Sequence, residues 1–278
     1  MKSILILAAI LQISTVSAHA GAKDECEATF ARRTILHSED HILDRGWYEL
    51  TTGRIGGAKL GAAFEYALNR LNGKSHVIVA GAGLAKLETD IYSQEYLIKP
   101  LADKPTITSV SASLPNLLSL SNTYHSVMST SPLDRIHPLR KIRALEQKTQ
   151  HRFRYILSEF EKVPSEELGM ADVIIDAYGV LSYAKDVSEI LRKYLSVLKP
   201  GGSLFLMFTA DGLEIKVGDQ TLTFIDWLKT IRGLTVRGTA PGGYEIKAEP
   251  NTVIPRLKID EYNPGRGFPI RRYTQIDL

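Results

Sequence analysis

Residues 171–208, ADVIIDAYGVLSYAKDVSEILRKYLSVLKPGGSLFLMF, constrain the fold of this chain more than any other stretch. An apolar run ends on Asp176, an amphipathic stretch follows, a Lys-Pro-Gly-Gly sequence interrupts it, and a second apolar run starts at Ser203. Two strand-length apolar runs flanking a helix-length segment make a strand–helix–strand unit. A connection of that length returns the chain to the same end of the sheet, so the two strands run parallel. Parallel sheets are covered on both faces, and they gather ligands at the carboxyl ends of their strands.

Hydrophobic spacing extends this alternation along the chain. Leu60, Phe64, Leu68 and Leu71 predict a helix over 56–72. A short apolar strand over 76–80 runs into Gly81-Ala82-Gly83, and a helix is predicted over 88–101. Further strands are predicted over 107–111, 153–157, 172–176 and 203–208. A basic helix over 133–151 carries Ile136, Leu139, Ile142 and Leu145 on one face. Gly218-Asp219 is a turn between two short extended runs, and Thr223 caps a helix over 224–231. Segments 234–238 and 244–247 flank Pro241-Gly242-Gly243 as a hairpin, and the tail with Pro255, Pro264 and Pro269 is extended against the body. The runs at 76–80 and 172–176 are apolar throughout, which predicts that they lie side by side and parallel at the sheet centre.

The first twenty residues, MKSILILAAILQISTVSAHA, stand apart from this pattern. Lys2 opens them, a short apolar core follows, and Ala18 and Ala20 make a small-x-small cleavage site before Gly21. That is the form of a secretory signal of bacterial type, and its apolar core falls short of the roughly 20 residues a spanning helix needs. The reading is therefore an exported protein, periplasmic or secreted, with no stable membrane insertion after cleavage. Cys26 is the only cysteine, so neither an intramolecular disulfide nor a zinc–cysteine cluster is possible. The formal charge of +3 is too small to argue for nucleic acid.

The 171–208 run with its Lys-Pro-Gly-Gly reversal, and the strand-to-Gly-x-Gly turn VIVAGAGLA over 77–85, resemble the class I S-adenosylmethionine-dependent methyltransferases. The resemblance spans roughly residues 56–247. It implies an α/β, Rossmann-like methyltransferase fold, with a seven-stranded, mostly parallel sheet and a C-terminal antiparallel hairpin. Residues 21–55 then form an N-terminal extension and 56–278 the domain. The resemblance also implies S-adenosylmethionine as cofactor and a small-molecule acceptor as partner.

Carried over residue by residue, it places the cofactor against Gly81, Ala82 and Gly83, beside Ser111, and beside Asp176 and Ala177. Asp176 and Tyr178 stand where an acceptor would be oriented or deprotonated, and Ser182-Tyr183 where the pocket is lined. The pattern is incomplete. Val79 stands where an acid usually precedes the first glycine, and Ala85 where a third glycine is usual. Ser111 stands where an acid takes both ribose hydroxyls; a serine makes one such contact, and Ser113 or Asn116 would have to supplement it. Each position also has a plain structural reading: a tight turn at Gly81, a strand end at Ser111, a helix cap at Asp176. A dinucleotide fingerprint fails at Lys86.

Three functions follow: a methyltransferase acting by alignment of donor and acceptor, an exported module that keeps the fold without catalysis, and a nucleotide-dependent oxidoreductase, which Lys86 argues against. The oligomeric state is left open by the sequence. Mass spectrometry of the protein from its native host is expected to find Gly21 as the first residue, and an intact Met1 would refute the export reading.

Overall fold

The computed structural model describes residues 57–82, 85–92, 99–112, 138–207, 213–240, 243–263 and 269–276. The leader, Cys26, the N-terminal extension, Gly83, Ser113 and Asn116 lie outside the described residues.

The chain opens with α1 (Gly57–Arg70), β1 (His76–Ala80) and α2 (Lys86–Tyr92). Next come β2 (Thr106–Ser111), α3 (Pro138–Lys148), β3 (Phe153–Leu157) and α4 (Ser165–Leu168). The segment that set the expected fold is β4 (Ala171–Ala177), α5 (Val180–Tyr183), α6 (Val187–Val197) and β5 (Leu198–Met207). After it come β6 (Leu213–Val217), β7 (Gln220–Thr223) and α7 (Phe224–Thr230). The chain closes with β8 (Leu234–Ala240), β9 (Gly243–Ala248), β10 (Leu257–Asn263) and β11 (Ile270–Gln275).

Seven strands form one sheet in the order β3-β2-β1-β4-β5-β9-β8. β1 pairs in parallel with β2 and β4, β4 with β5, and β2 with β3, whereas β9 runs antiparallel to both β5 and β8. The expected parallel pairing of the two apolar strands at the sheet centre is observed, in the register Val77↔Val173, Ile78↔Ile174 and Val79↔Ile175.

Each central strand is buried on both faces, which is why it reads as an unbroken apolar run. Val77 and Val79 point into one core with Phe64, Ile91, Ile142 and Phe205; Ile78 and Ala80 point into the other with Leu191, Tyr194 and Trp227. On the first face Phe64 of α1 meets Phe205 edge-on at 5.2 Å. On the second, α6 lays down Val187, Ile190, Leu191, Tyr194 and Val197, a stripe at helical spacing. Asp186 caps that helix by accepting from the amides of Ser188 and Glu189. Thr223 caps α7 as expected, its side chain accepting from the Asp226 amide.

Two expectations gain detail. Lys199-Pro200-Gly201-Gly202 falls within β5 as the irregularity between two paired stretches: Leu198 pairs with Ala171 and Ser203 with Val173, and Gly201 between them takes φ +78°. The proline-rich tail is extended and packs on the body as strands. β10 and β11 pair with β6 and β7 as a second, four-stranded sheet in the order β10-β11-β6-β7. Its inner face delivers Leu213, Ile215, Leu257 and Tyr273 to the core containing α6 and α7. Its outer face is charged: Arg272 pairs with Glu214 at 3.2 Å and Glu261 at 2.7 Å, all half-exposed, contacts that contribute about 0–1 kcal/mol each.

At the amino end of β1, the His76 amide donates to Asp172 at 2.7 Å, and Lys199 pairs with the same carboxylate at 2.8 Å. A carbonyl only accepts, so His76 Nδ1 donates to the Met170 oxygen and Nε2 accepts from the Thr108 hydroxyl. Burial holds the imidazole below its ordinary 6.5; the Met170 carbonyl and Asp172 oppose that shift, and Lys199 and Arg154 add to it. The unfolded chain therefore binds the proton more readily, and this contribution to stability is complete above about pH 6.5 and is lost as the pH falls through the lowered folded value. Denaturant midpoints measured from pH 7.5 to 5.5 are expected to fall with pH across roughly this range, and His76→Gln is expected to flatten the slope.

Candidate functional site

The chain leaves β1 and β4 toward opposite faces of the sheet. After β1 it enters α2, whose Leu87 and Ile91 belong to the Phe64 core; after β4 it enters α5 and α6, whose Leu181, Ile190 and Leu191 belong to the other core. β1 and β4 are neighbours, so this is the topological switch point of the sheet, where open α/β sheets form a ligand crevice. Its two lips are Gly81-Ala82 and Ala177-Tyr178-Gly179.

Both lips carry unusual backbone. Gly81 has φ +74°, and the non-glycine residues Ala85 and Tyr178 take φ +55° and +51°. Gly81 takes this conformation without penalty, whereas on Ala85 and Tyr178 it costs about 1–3 kcal/mol each. The lips also touch. A Cβ on Gly81 would lie 2.5 Å from the Cα of Gly179, and a Cβ on Gly179 would lie 2.2 Å from the Ala80 carbonyl oxygen. The two glycines thus serve each other first: they let the turns after β1 and β4 meet backbone to backbone. The amides of Gly81 and Ala82 both donate to the Val110 carbonyl, at 2.7 and 3.1 Å, and so are engaged by β2.

Asp176 is 1% exposed. Its carboxylate accepts from the Gly179 amide at 2.7 Å, the Leu181 amide at 2.8 Å and the Tyr194 hydroxyl at 2.7 Å. The side chain thus turns down between the sheet and α6, and the helix-cap reading describes what it does. Burial raises the Tyr194 phenol well above its ordinary value, and the adjacent Asp176 carboxylate adds to the shift. Tyr194 remains a donor at any physiological pH. Ala177 and Tyr178 are half-buried against the Phe64 core, and the Tyr178 amide donates to the Met207 carbonyl at 2.9 Å. Ser182, expected to line the pocket, is buried, and its hydroxyl has no hydrogen-bond partner.

Val79 is buried within the Phe64 core, and Ser111 ends β2 at 4% exposure. No carboxylate stands at either of the two places where the resemblance would put one. Besides Asp176, the region holds a second buried acid, one that sequence reasoning passed over. Glu88, in the first turn of α2, is 1% exposed and accepts a hydrogen bond from Ser109 of β2. Burial of Glu88 leaves no trace in the hydrophobic pattern, because glutamate in a first helical turn ordinarily faces water.

Arg271 was also missed. It is 1% exposed on β11, and its Nη1 donates to the carbonyls of Leu181 and Ala184, both at 2.8 Å. Two of the basic residues at the end of this segment are engaged within the fold. Arg152 donates to the carbonyls of Gly73 and Lys104, and Arg154 pairs with Glu167. Among the described residues no cluster of three or more His, Cys, Asp or Glu is arranged to hold a metal ion.

The sheet has the seven strands, antiparallel member and C-terminal hairpin implied by the sequence resemblance. The chain has the Rossmann-like methyltransferase fold. No family model matches the sequence, and no curated protein matches it. Solved structures do. A precorrin-6y C5,15-methyltransferase from Geobacter metallireducens GS-15 is 16% identical over 52% of this chain and 59% of its own, with a TM-score of 0.31. A SAM-dependent methyltransferase from Thiobacillus denitrificans, solved with S-adenosyl-L-homocysteine, is 16% identical over 57% and 53%, at 0.35. The glycopeptide N-methyltransferase MtfA, solved with S-adenosylmethionine, is 10% identical over 78% and 77%, at 0.34. The chain therefore spans little more than half the length of the first two.

The lip geometry sets the effect of two substitutions. Gly81→Ala meets both a backbone clash and a left-handed φ and is expected to cost about 2–5 kcal/mol of stability, so it damages the fold before it can report on a ligand. Asp176→Asn sets an NH2 donor among groups that already donate and is expected to cost about 1–3 kcal/mol. Urea unfolding of both variants checks this; an Asp176→Asn variant as stable as the parent would return the carboxylate to the list of groups available for chemistry.

Proposed function

We propose that this chain binds S-adenosylmethionine, weakly, at the switch point, against the joined lips Gly81-Ala82 and Ala177-Tyr178-Gly179, and that it acts as a methyltransferase on a small acceptor. The observation that carries the reading is the switch point itself, with left-handed non-glycine residues, Ala85 and Tyr178, on either side of it. Small residues surround it, namely Ala80, Gly81, Ala82, Ala177 and Gly179. This combination gives backbone access at the place where sheets of this kind take their ligands.

The cofactor would bring its own activated methyl group on a sulfonium. The residues of this chain would contribute position. Gly81 and Gly179 hold the lips in contact, Asp176 fixes the β4 lip from beneath, and Tyr178 is presented by a strained backbone at the strand end. Asp176 is engaged by three donors within the fold and is not proposed as a base. Alignment of donor and acceptor then carries the acceleration.

A second reading, a module that keeps the fold without catalysis, is favoured by one specific pair of residues. Val79 is buried in an apolar cluster, and Ser111 offers a hydroxyl in place of a carboxylate. Losing a charge-assisted contact to a ribose hydroxyl costs about 1.5–3 kcal/mol, roughly ten- to a hundredfold in affinity.

Titration calorimetry of the full chain with S-adenosylmethionine and S-adenosylhomocysteine separates the two readings. Binding weaker than the micromolar range is expected, and Ser111→Asp is expected to tighten it by about tenfold if the ribose contact is what is missing. Val79→Asp is unsuitable as a companion, because it would bury a carboxylate among Phe64, Phe205 and Ile175. No heat at millimolar ligand with either the parent or Ser111→Asp would overturn the enzyme reading in favour of the module.

A further inference from the structure

We infer that Arg271 is a positioning residue for the β4 lip, acting through α5, so that the C-terminal sheet sets the geometry and ligand affinity of the crevice. The affinity half of this inference rests on the ligand reading proposed above; the positional half stands on the geometry alone.

α5 is four residues long, Val180–Tyr183, and follows the lip residue Gly179 directly. A single helical turn has no stability of its own, because nucleation is unfavourable and so short a turn leaves most of its backbone groups without intrahelical partners. Here both ends are held from outside. At the amino end, Asp176 accepts from the amides of Gly179 and Leu181. At the carboxyl end, Arg271 donates to the carbonyls of Leu181 and Ala184, and the Tyr273 hydroxyl donates to the Lys185 carbonyl at 2.7 Å.

The signs match the peptide dipoles: an anion at the amino end and a cation at the carboxyl end. Asp176 and Arg271 are each 1% exposed, so solvent screens neither. The anchors come from opposite sides. Asp176 belongs to β4 of the large sheet, whereas Arg271 and Tyr273 belong to β11 of the small one, with Arg271 lying 90 residues from Leu181 in sequence. β11 is itself fixed on both edges, with Arg271 in register against Leu213 of β6 and Tyr262 of β10. From β10, Tyr262 also places its ring 5.8 Å from the Lys185 ammonium.

A chain of fixed contacts therefore runs from the small sheet through Arg271 to α5, from α5 to Gly179, and from Gly179 to Gly81 across the crevice. The guanidinium serves through one nitrogen, Nη1, whose two N–H groups reach both carbonyls while the group stays cationic. It is a costly group to bury, and a hydrophobic side chain would serve if packing alone were needed.

The test compares full-length Arg271→Met, Arg271→Lys and Tyr273→Phe with the parent chain. Amide hydrogen exchange is read at 179–186 and, as reference, in β1 and β5. Arg271→Met is expected to speed exchange at 179–186 by about tenfold or more while the reference strands hold, and Arg271→Lys is expected to recover part of the protection. The dissociation constant for S-adenosylhomocysteine is expected to rise about tenfold in Arg271→Met and less in Arg271→Lys.

Exchange that rises equally in the reference strands would show a merely structural arginine and overturn the inference, as would unchanged protection at 179–186. If Arg271→Met does not fold, Tyr273→Phe decides, with faster exchange confined to 184–186 supporting the clamp and no change refuting it. If the parent binds no S-adenosylhomocysteine, the ligand reading fails, and the exchange pattern still confirms or refutes the clamp.

Discussion

The buried carboxylate of Asp176 is the contact on which the central part of this molecule turns. It closes the carboxyl end of β4, caps the single turn of α5, and receives the hydroxyl of Tyr194 from α6. Strand, turn and covering helix are thereby fixed to one another by a single side chain. Three donors keep the charge tolerable at 1% exposure, and removing the carboxylate would leave those donors without an acceptor in a low-dielectric interior.

A related economy holds across the crevice. Gly81 and Gly179 approach too closely for a Cβ on either, so the two turns buttress each other, and any ligand at the switch point meets a preorganised wall. The left-handed Ala85 and Tyr178 are the strain that this arrangement retains. The same packing explains why an acid is difficult to place at Val79. Val79 is committed to the Phe64 core, and the buried glutamate of the region, Glu88, is engaged by Ser109.

The second sheet gives the C-terminal quarter of the chain a defined role. It covers the face carrying α6 and α7 and ties α7 in place through Trp227, whose indole donates to Gln275 at 2.8 Å. It also sends Arg271 and Tyr273 to the segment after β4. In a chain with a single cysteine, which cannot form an internal disulfide, such buried polar anchors between layers take on the task of fixing one layer against another.

Sequence alone determined the large sheet. The doubly buried strands read as apolar runs, α6 as a stripe at helical spacing, and Thr223 as a cap, because each of those signals is local and repeats within a few residues. The switch point followed from the strand order. Local pattern could not decide what the polar side chains do. Asp176 at a strand end looks the same in sequence whether it faces a ligand or a helix amide, and only the folded chain shows it accepting from the Gly179 and Leu181 amides and the Tyr194 hydroxyl. Arg271 and Glu88 are buried against the habit of their residue types. The second sheet pairs β11 with β6 across a sequence separation of 58, between Arg272 and Glu214, which no periodicity records. Strand and helix are properties of neighbouring residues; the partner of a buried charge is a property of the packed chain, and tertiary structure decided it.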